Sequence, residues 1–270
     1  MNICLFSETE VTEPLSFEDE RAQHIIKILH KKEGDTFYAG VIGGKSGNAL
    51  ITKIESWEER SASGKVFTAG KIHFTFKPEK DGLPLNKLCV ILGFPRPIQL
   101  KRILRDMAGL GVCGIHLVKT ELGEKSYTES DLSSPENCRR LLIEGCMQAA
   151  STNIPEIFFH GDLKSCLDFL NLNPAEKKES DSSLRVALDN QKSETSLIEL
   201  IQGGIDIGDS MCFAAIGSER GWTDNERSIF KEYGFCLAKM GSRIMRTETA
   251  ATVAASILIS SIDTEGSTWV

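Results

Sequence analysis

Residues 211–240 read MCFAAIGSERGWTDNERSIFKEYGFCLAKM and hold a complete strand, loop, helix and strand. The apolar run Met211 to Ile216 predicts a buried strand. Gly217-Ser-Glu-Arg-Gly221 breaks it, and Thr223 with Glu226 three residues later marks a capped helix start that carries to Glu232. Phe235 to Met240 is a second apolar strand. Short strands with no polar alternation are covered on both faces, so this unit predicts a mostly parallel sheet between helical layers.

The same rhythm extends on both sides. Downstream, the loop Gly241 to Arg246 runs into a helix over Thr247–Ile262. Upstream lie a strand at Leu184–Leu188 and a helix at Thr195–Ile201. Earlier still, Leu88–Phe94 and Gly114–Val118 are strands flanking a helix from Ile98, in which Leu100, Ile103, Leu104 and Met107 share one face and which Gly109 and Gly111 stop. Ser134-Pro135-Glu136 opens a helix to about Ala150, followed by a strand at Ile157–Phe159 and a helix at Leu163–Leu170. The polar stretch Asn171 to Ser183 reads as a mobile surface loop.

The first ~75 residues have a different period. Asn2–Phe6, Thr36–Ala39, Ala49–Ile54, Lys65–Ala69 and Ile72–Phe76 read as short strands, with Gly43-Gly44 and Ser46-Gly47-Asn48 as turns, which suggests a small β-barrel. One helix should start at Ser16, with Asp19 completing an approximate capping box. It should reach His30 and bury Ile25, Ile28 and Leu29, with His24 and Lys27 near its exposed side. A domain boundary is expected between 75 and 76, giving an α/β domain at 76–270.

A net charge of −7 excludes a chain coated in positive charge. One local patch remains, Arg96, Lys101, Arg102 and Arg105, and it fits either an RNA contact or a solvated helix face. The eight cysteines are scattered singly, without Cys-x-x-Cys or histidines at ligand spacing, so buried free thiols and no metal site are expected. The longest nearly apolar run, Ala250 to Ile262, is short and rich in Ser and Thr, and the first residues lack a basic-apolar leader. A soluble cytoplasmic protein with no membrane partner is the expectation.

Ligands of open parallel sheets collect at the carboxyl ends of the strands. Three loops qualify: Asp189-Asn190, Gly217 to Gly221, and Gly241 to Arg246. Glycines there admit close approach of a ligand to the backbone, although Gly217 to Gly221 with Thr223 and Glu226 is also simply a turn and a capping box. In Arg243-Ile-Met-Arg-Thr-Glu-Thr-Ala250, Thr247 or Thr249 can cap the helix and Glu248 suits its dipole. Arg246 has no such role, and a cation there calls for a carboxylate or a phosphate.

Two segments carry a family resemblance. Ile216-Gly-Ser-Glu-Arg-Gly-Trp-Thr-Asp-Asn-Glu226 is similar to an Ile-Gly-Pro-Glu-Gly-Gly signature with an acidic helix start. Met240-Gly-Ser-Arg-Ile-Met-Arg-Thr-Glu-Thr-Ala250 is similar to Leu-Gly-x-Arg-Ile-Leu-Arg-Thr-Glu-Thr-Ala. On these the whole chain resembles the RsmE family of the SPOUT superfamily, S-adenosylmethionine-dependent enzymes that methylate N3 of a uridine in 16S ribosomal RNA of the small subunit.

The resemblance implies an N-terminal PUA-like barrel for RNA docking, a C-terminal SPOUT domain with a deep trefoil knot, and a homodimer. It places S-adenosylmethionine against Leu188, Ile216, Gly217, Glu219, Gly221, Met240, Gly241, Ile244 and Met245. Arg246 would stabilise the base as its N3 proton leaves, and Glu248 would orient that arginine. His24, Lys27, Arg96, Lys101, Arg102 and Arg220 would face RNA. The chain departs from the family pattern at Asp106, Gly109, Leu122, Met147 and Ser151, and at Ser218 and Arg220 within the cofactor loop. An altered substrate wall leaves open a different RNA target or a non-catalytic ribosome-assembly role, against which stand Arg246, Thr247 and Glu248.

Overall fold

In the computed structural model the apolar runs lie side by side in one seven-stranded sheet in which every pairing is parallel. The structure describes residues 1–61, 65–172, 183–193, 195–203 and 210–262, so most of the expected loop Asn171–Ser183 lies outside the described residues. Two compact units emerge: Met1–Pro84 with Cys146–Ile154, and Leu85–Gly145 with Pro155–Val270.

In the larger unit β6 (Asn86–Gly93), α2 (Pro97–Leu110) and β7 (Val112–Val118) form the first crossover. The short α3 (Lys125–Thr128), α4 (Pro135–Ala149), β8 (Glu156–His160) and α5 (Leu163–Phe169) follow. Next come β9 (Leu184–Leu188), β10 (Thr195–Ser196), α6 (Leu197–Gln202), β11 (Cys212–Ile216), α7 (Asp224–Glu232), β12 (Cys236–Lys239) and α8 (Thr247–Ile262). The order across the sheet is β10-β12-β9-β11-β6-β7-β8. From β6 the chain winds outward to β7 and β8, then returns to build β9 and β12 on the other side of β11. That reversal opens a crevice at the carboxyl ends of β6, β11, β9 and β12.

Helices cover both faces. Leu100, Ile103, Leu104 and Met107 of α2 are fully buried, as the spacing predicted, and Ala251, Ala254 and Ala255 give α8 a small-residue face that packs on α2, β6 and β11. Thr252 of α8 donates to Asp106 of α2 at 2.9 Å. On the other face Trp222, Phe230 and Phe235 join Ile91, Val118 and Ala215 in one core. Gly111, at φ 71°, ends α2 in the left-handed conformation, whereas Gly109 stays inside the helix. The expected helix start at Thr195 is instead a two-residue edge strand, after which Ser196 caps α6 through a box with Glu199.

The smaller unit is a five-stranded sheet of order β1-β3-β4-β5-β2, with β1 at Cys4–Phe6, β2 at Leu15–Ser16, β3 at Thr36–Val41, β4 at Ser46–Arg60 and β5 at Val66–Lys80. Two expected strands, Lys65–Ala69 and Ile72–Phe76, are one. Gly70 does not interrupt them: a Cβ there would lie 2.3 Å from the Glu55 carbonyl and 2.5 Å from the Phe17 ring, so glycine lets the strand pass. Ser46-Gly47-Asn48, expected as a turn, begins β4. Ser16 lies in β2, and Asp19 itself caps α1 (Glu20–Gln23) by accepting from the Arg21 amide at 2.7 Å.

Past α1 the backbone widens into a π-turn over His24–Ile28, which shifts the buried face. Ile25 is buried, but Ile28 and Leu29, expected inside, are 65% and 41% exposed. Lys27 is exposed, whereas His24 is half-buried with an Nε2 that has no hydrogen-bond partner among the described residues. All eight cysteines are free; Cys113 is only half-buried and Cys236 is exposed, against the expectation of buried thiols.

Candidate active-site cleft

The crevice is a cleft of about 660 Å³, large enough for a nucleotide-sized ligand. Its walls are the three loops foreseen in the sequence, after β9, β11 and β12, together with the start of α2. Leu188, Ile216, Gly217, Glu219, Gly221, Met240, Gly241, Ile244 and Met245 all line it, as do Arg246 and Glu248. Ile216 is buried and Leu188, Met240 and Met245 are half-buried, whereas Ile244 offers only an edge because its side chain is 84% exposed.

Gly221 and Gly241 adopt φ of 69° and 87°, conformations that favour glycine, and a Cβ on either would meet nothing within 4 Å. The backbone at both is open to a ligand. Gly217 is tighter, since a Cβ would lie 3.0 Å from the Gly221 Cα across the small turn that the Gly221 amide closes onto the Ser218 carbonyl.

The capping-box reading of Gly217–Glu226 also holds. Thr223 and Glu226 exchange the reciprocal bonds at the start of α7, and the buried Glu226 carboxylate takes the Glu121 amide at 3.0 Å as well. Glu121 returns the contact by accepting from the Thr223 hydroxyl and the Asn225 amide, both at 2.6 Å. These bonds lock the Gly217–Gly221 loop. The Trp222 indole secures it to β9 by donating to the Leu188 carbonyl at 3.2 Å.

Sequence reasoning named the Asp189-Asn190 loop but missed the ion pair that Asp189 makes with Arg227 at the base of the cleft. Asp189 lies at the end of β9, where its carboxylate accepts from the Gln191 and Lys192 amides at 2.7 Å each and from Arg227 Nε at 2.6 Å. Burial pushes the Asp189 carboxyl up, but those three donors outweigh it and leave the group below the usual carboxylate range. Arg227 also reaches Asp224 at 2.7 Å and Gln191 at 3.1 Å. Its position on a polar-looking helix gave no signal, because the acidic start of α7 explains an arginine equally well as a solvated partner.

The arginines of the cleft differ in their engagement. Arg96 occupies the N-cap position of α2 without a side-chain cap; its amide donates to the Glu219 carboxylate at 2.9 Å and its Nε to the Tyr127 hydroxyl at 3.1 Å. Arg220 is paired with Glu124. Arg243 and Arg246 are exposed, and neither side chain has a polar partner among the described residues. No ion pair joins Arg246 to Glu248 among them. Of the other expected RNA contacts, Arg102 is exposed and Lys101 half-buried on α2; Arg105, the remaining member of the basic patch, is taken up by Glu144 at 2.8 Å. His24 and Lys27 belong to the smaller unit.

Comparison with known proteins places this arrangement in a family. Residues 82–259 match the model of the RNA methyltransferase domain. The ribosomal RNA small subunit methyltransferase E of Treponema pallidum is 38% identical over 264 residues, covering 96% of this chain and 91% of that protein. A protein of Borreliella burgdorferi named ribosomal RNA small subunit methyltransferase E 1 is 32% identical, covering 97% and 98%. The crystal structure of a methyltransferase E from Neisseria gonorrhoeae bound to S-adenosylmethionine shares the fold, with a TM-score of 0.66 at 19% identity over 97% of this chain and 98% of that one. The chain belongs to the ribosomal RNA small subunit methyltransferase E family.

Proposed function

We propose that this protein methylates N3 of a uridine in 16S ribosomal RNA of the small subunit, with S-adenosylmethionine as donor. The observation that carries the reading is Arg246: an exposed cation whose side chain has no polar partner among the described residues, at the junction of a cofactor-sized cleft and the first turn of α8. The cleft suits the cofactor because Gly221 and Gly241 open main-chain groups to a ligand while Leu188, Ile216, Met240 and Met245 supply apolar contact.

Bound there, S-adenosylmethionine supplies an electrophilic methyl on a sulfonium. The chain supplies position and charge. Leu188, Ile216, Met240 and Met245 would give the donor apolar contact, and Arg246 would balance the negative charge on the uracil as N3 gives its proton to solvent; the methyl would pass to N3 while its bonding electrons stay on sulfur, which leaves as the neutral thioether. Glu248, in the first turn of α8, would orient that arginine by closing on it when substrate binds, since no ion pair joins the two among the described residues. Arg96, Lys101, Arg102 and Arg220 contribute phosphate contacts, with Arg220 released from Glu124 in exchange for RNA.

The smaller unit serves as a PUA-like RNA-docking domain carrying His24 and Lys27, and the larger one threads as a trefoil knot. The family resemblance implies a homodimer, and Ile244, Ile98 and Val253 of the larger unit, 84%, 63% and 37% exposed, are candidates for its interface. The test is incubation of the purified protein with S-adenosylmethionine and small subunits from a strain lacking the gene. N3-methyluridine detected by mass spectrometry is the expected product. A modification on another nucleotide rejects the target, and absence of both cofactor binding and transfer rejects the enzyme.

A further inference from the structure

A second cluster of chemically active side chains lies outside the cleft, under α5. His116 is on β7 and His160 on β8. The register sets Val118 opposite His160, and His116 precedes Val118 by two residues, so both imidazoles project from the same face of the sheet. Cys166 comes down onto that face from α5 and is fully buried. His116 is 2% exposed and His160 half-buried.

The two rings approach with Nδ1 of His116 2.9 Å from Nε2 of His160, and one donor atom from each of the three residues lies within 4.8 Å of the others. Phe158 stacks on His116 at 4.7 Å and Phe169 leans over both rings. None of the three residues lines the cleft.

Two ring nitrogens facing each other at this distance are held by one shared hydrogen. A metal ion can take its place: bonds of about 2.0–2.3 Å to nitrogen and sulfur at a tetrahedral centre need ligand atoms roughly 3.3–3.8 Å apart, within the spread seen. A thiolate with two imidazoles selects a soft or borderline ion over magnesium or calcium.

We propose that His116, His160 and Cys166 form a binding site for a divalent cation of the zinc class that fastens β7, β8 and α5 together. On binding, the Cys166 thiol gives its proton to solvent as the metal–sulfur bond forms. The shared imidazole hydrogen moves to the outer nitrogen of its ring, so both rings stay neutral. Three protein ligands leave a fourth position for water.

The probe is Co²⁺, added to the metal-free full-length protein and then displaced with Zn²⁺. We expect tight binding with a thiolate-to-cobalt charge-transfer band in the near ultraviolet and the intense visible bands of a four-coordinate ion, both erased by Zn²⁺. Cys166→Ser should abolish the charge-transfer band, and Cys236→Ser, at the exposed thiol, should leave it intact. His160→Gln, which removes a ligand at a half-buried position, should weaken binding by more than the about ten-fold that loss of an outer-shell partner costs. A folded wild-type protein without the band overturns the proposal, as does a band that follows Cys236 rather than Cys166. Where Cys166→Ser does not fold, an unchanged affinity in His160→Gln overturns it.

Discussion

Arg227 Nε lies 2.6 Å from Asp189 Oδ2, and the two side chains are only 9% and 2% exposed. The pair joins α7 to the end of β9 at the base of the cleft, so the helix and the strand end cannot move apart without uncovering a charge. Without Asp189, Arg227 keeps only Asp224 and Gln191, and without Arg227 the Asp189 carboxylate keeps only the Gln191 and Lys192 amides.

Asp189→Asn should therefore cost about 1.5–3 kcal/mol in chemical denaturation and weaken S-adenosylmethionine binding, measured by calorimetry. Because the Asp189 carboxyl sits below its ordinary value, its contribution is complete above about pH 3.9 and disappears only as acid protonates the folded form at still lower pH. Wild-type stability in Asp189→Asn would show that the pair does not hold the loop.

Arg246→Ala should lower methyl transfer by about 10²–10³-fold with stability unchanged within about 0.5 kcal/mol, since the side chain is exposed and has no polar partner among the described residues. Single-turnover rates at saturating cofactor measure this. The neighbouring Arg243→Ala is the control for simple loss of charge. Equal losses in the two variants would remove the specific assignment.

Gly93→Ala tests the approach of β6 to the Gly217–Gly221 loop of the cleft. A Cβ there would sit 2.5 Å from the Ser218 amide nitrogen, 2.8 Å from Thr120 Cγ2 and 3.1 Å from the Gly217 carbonyl carbon. Backbone must shift, at a cost of about 1–3 kcal/mol, and cofactor affinity should fall with stability. Thermal unfolding with and without S-adenosylmethionine separates the two effects.

In the smaller unit Arg21 holds Glu10 at 2.8 Å, stacks over Phe6 and donates to the Leu5 carbonyl. The guanidinium lowers the Glu10 carboxyl to about 2. The bond stabilises fully above about pH 4.3 and is lost as pH falls toward 2. With Glu10 side-chain exposure at 48%, solvent screening limits the effect to about 1 kcal/mol. Glu10→Gln should flatten that part of the acid-unfolding curve.

Where an element is set by local pattern, the sequence reading and the structure coincide. Apolar runs became the parallel strands, Thr223 with Glu226 became the cap of α7, and the loops after β9, β11 and β12 form the walls of the cleft. The errors arose where distant residues decide. Ile28 and Leu29 point outward because a π-turn shifts their phase, and Gly70 lies inside a continuous strand because Phe17 and Glu55 occupy the space above it.

The sequence by itself determined the alternation of strands and helices, the apolar faces and the glycine loops, because each depends on neighbours within one or two turns of chain. Only the tertiary structure decided that Asp189 meets Arg227, that Glu219 meets the Arg96 amide, and that Arg220 and Arg105 are engaged while Arg246 has no polar partner among the described residues. It also brought His116 to His160 across 44 residues. Such pairings depend on strand order and register, which place residues remote in sequence at bonding distance and leave no trace in local periodicity.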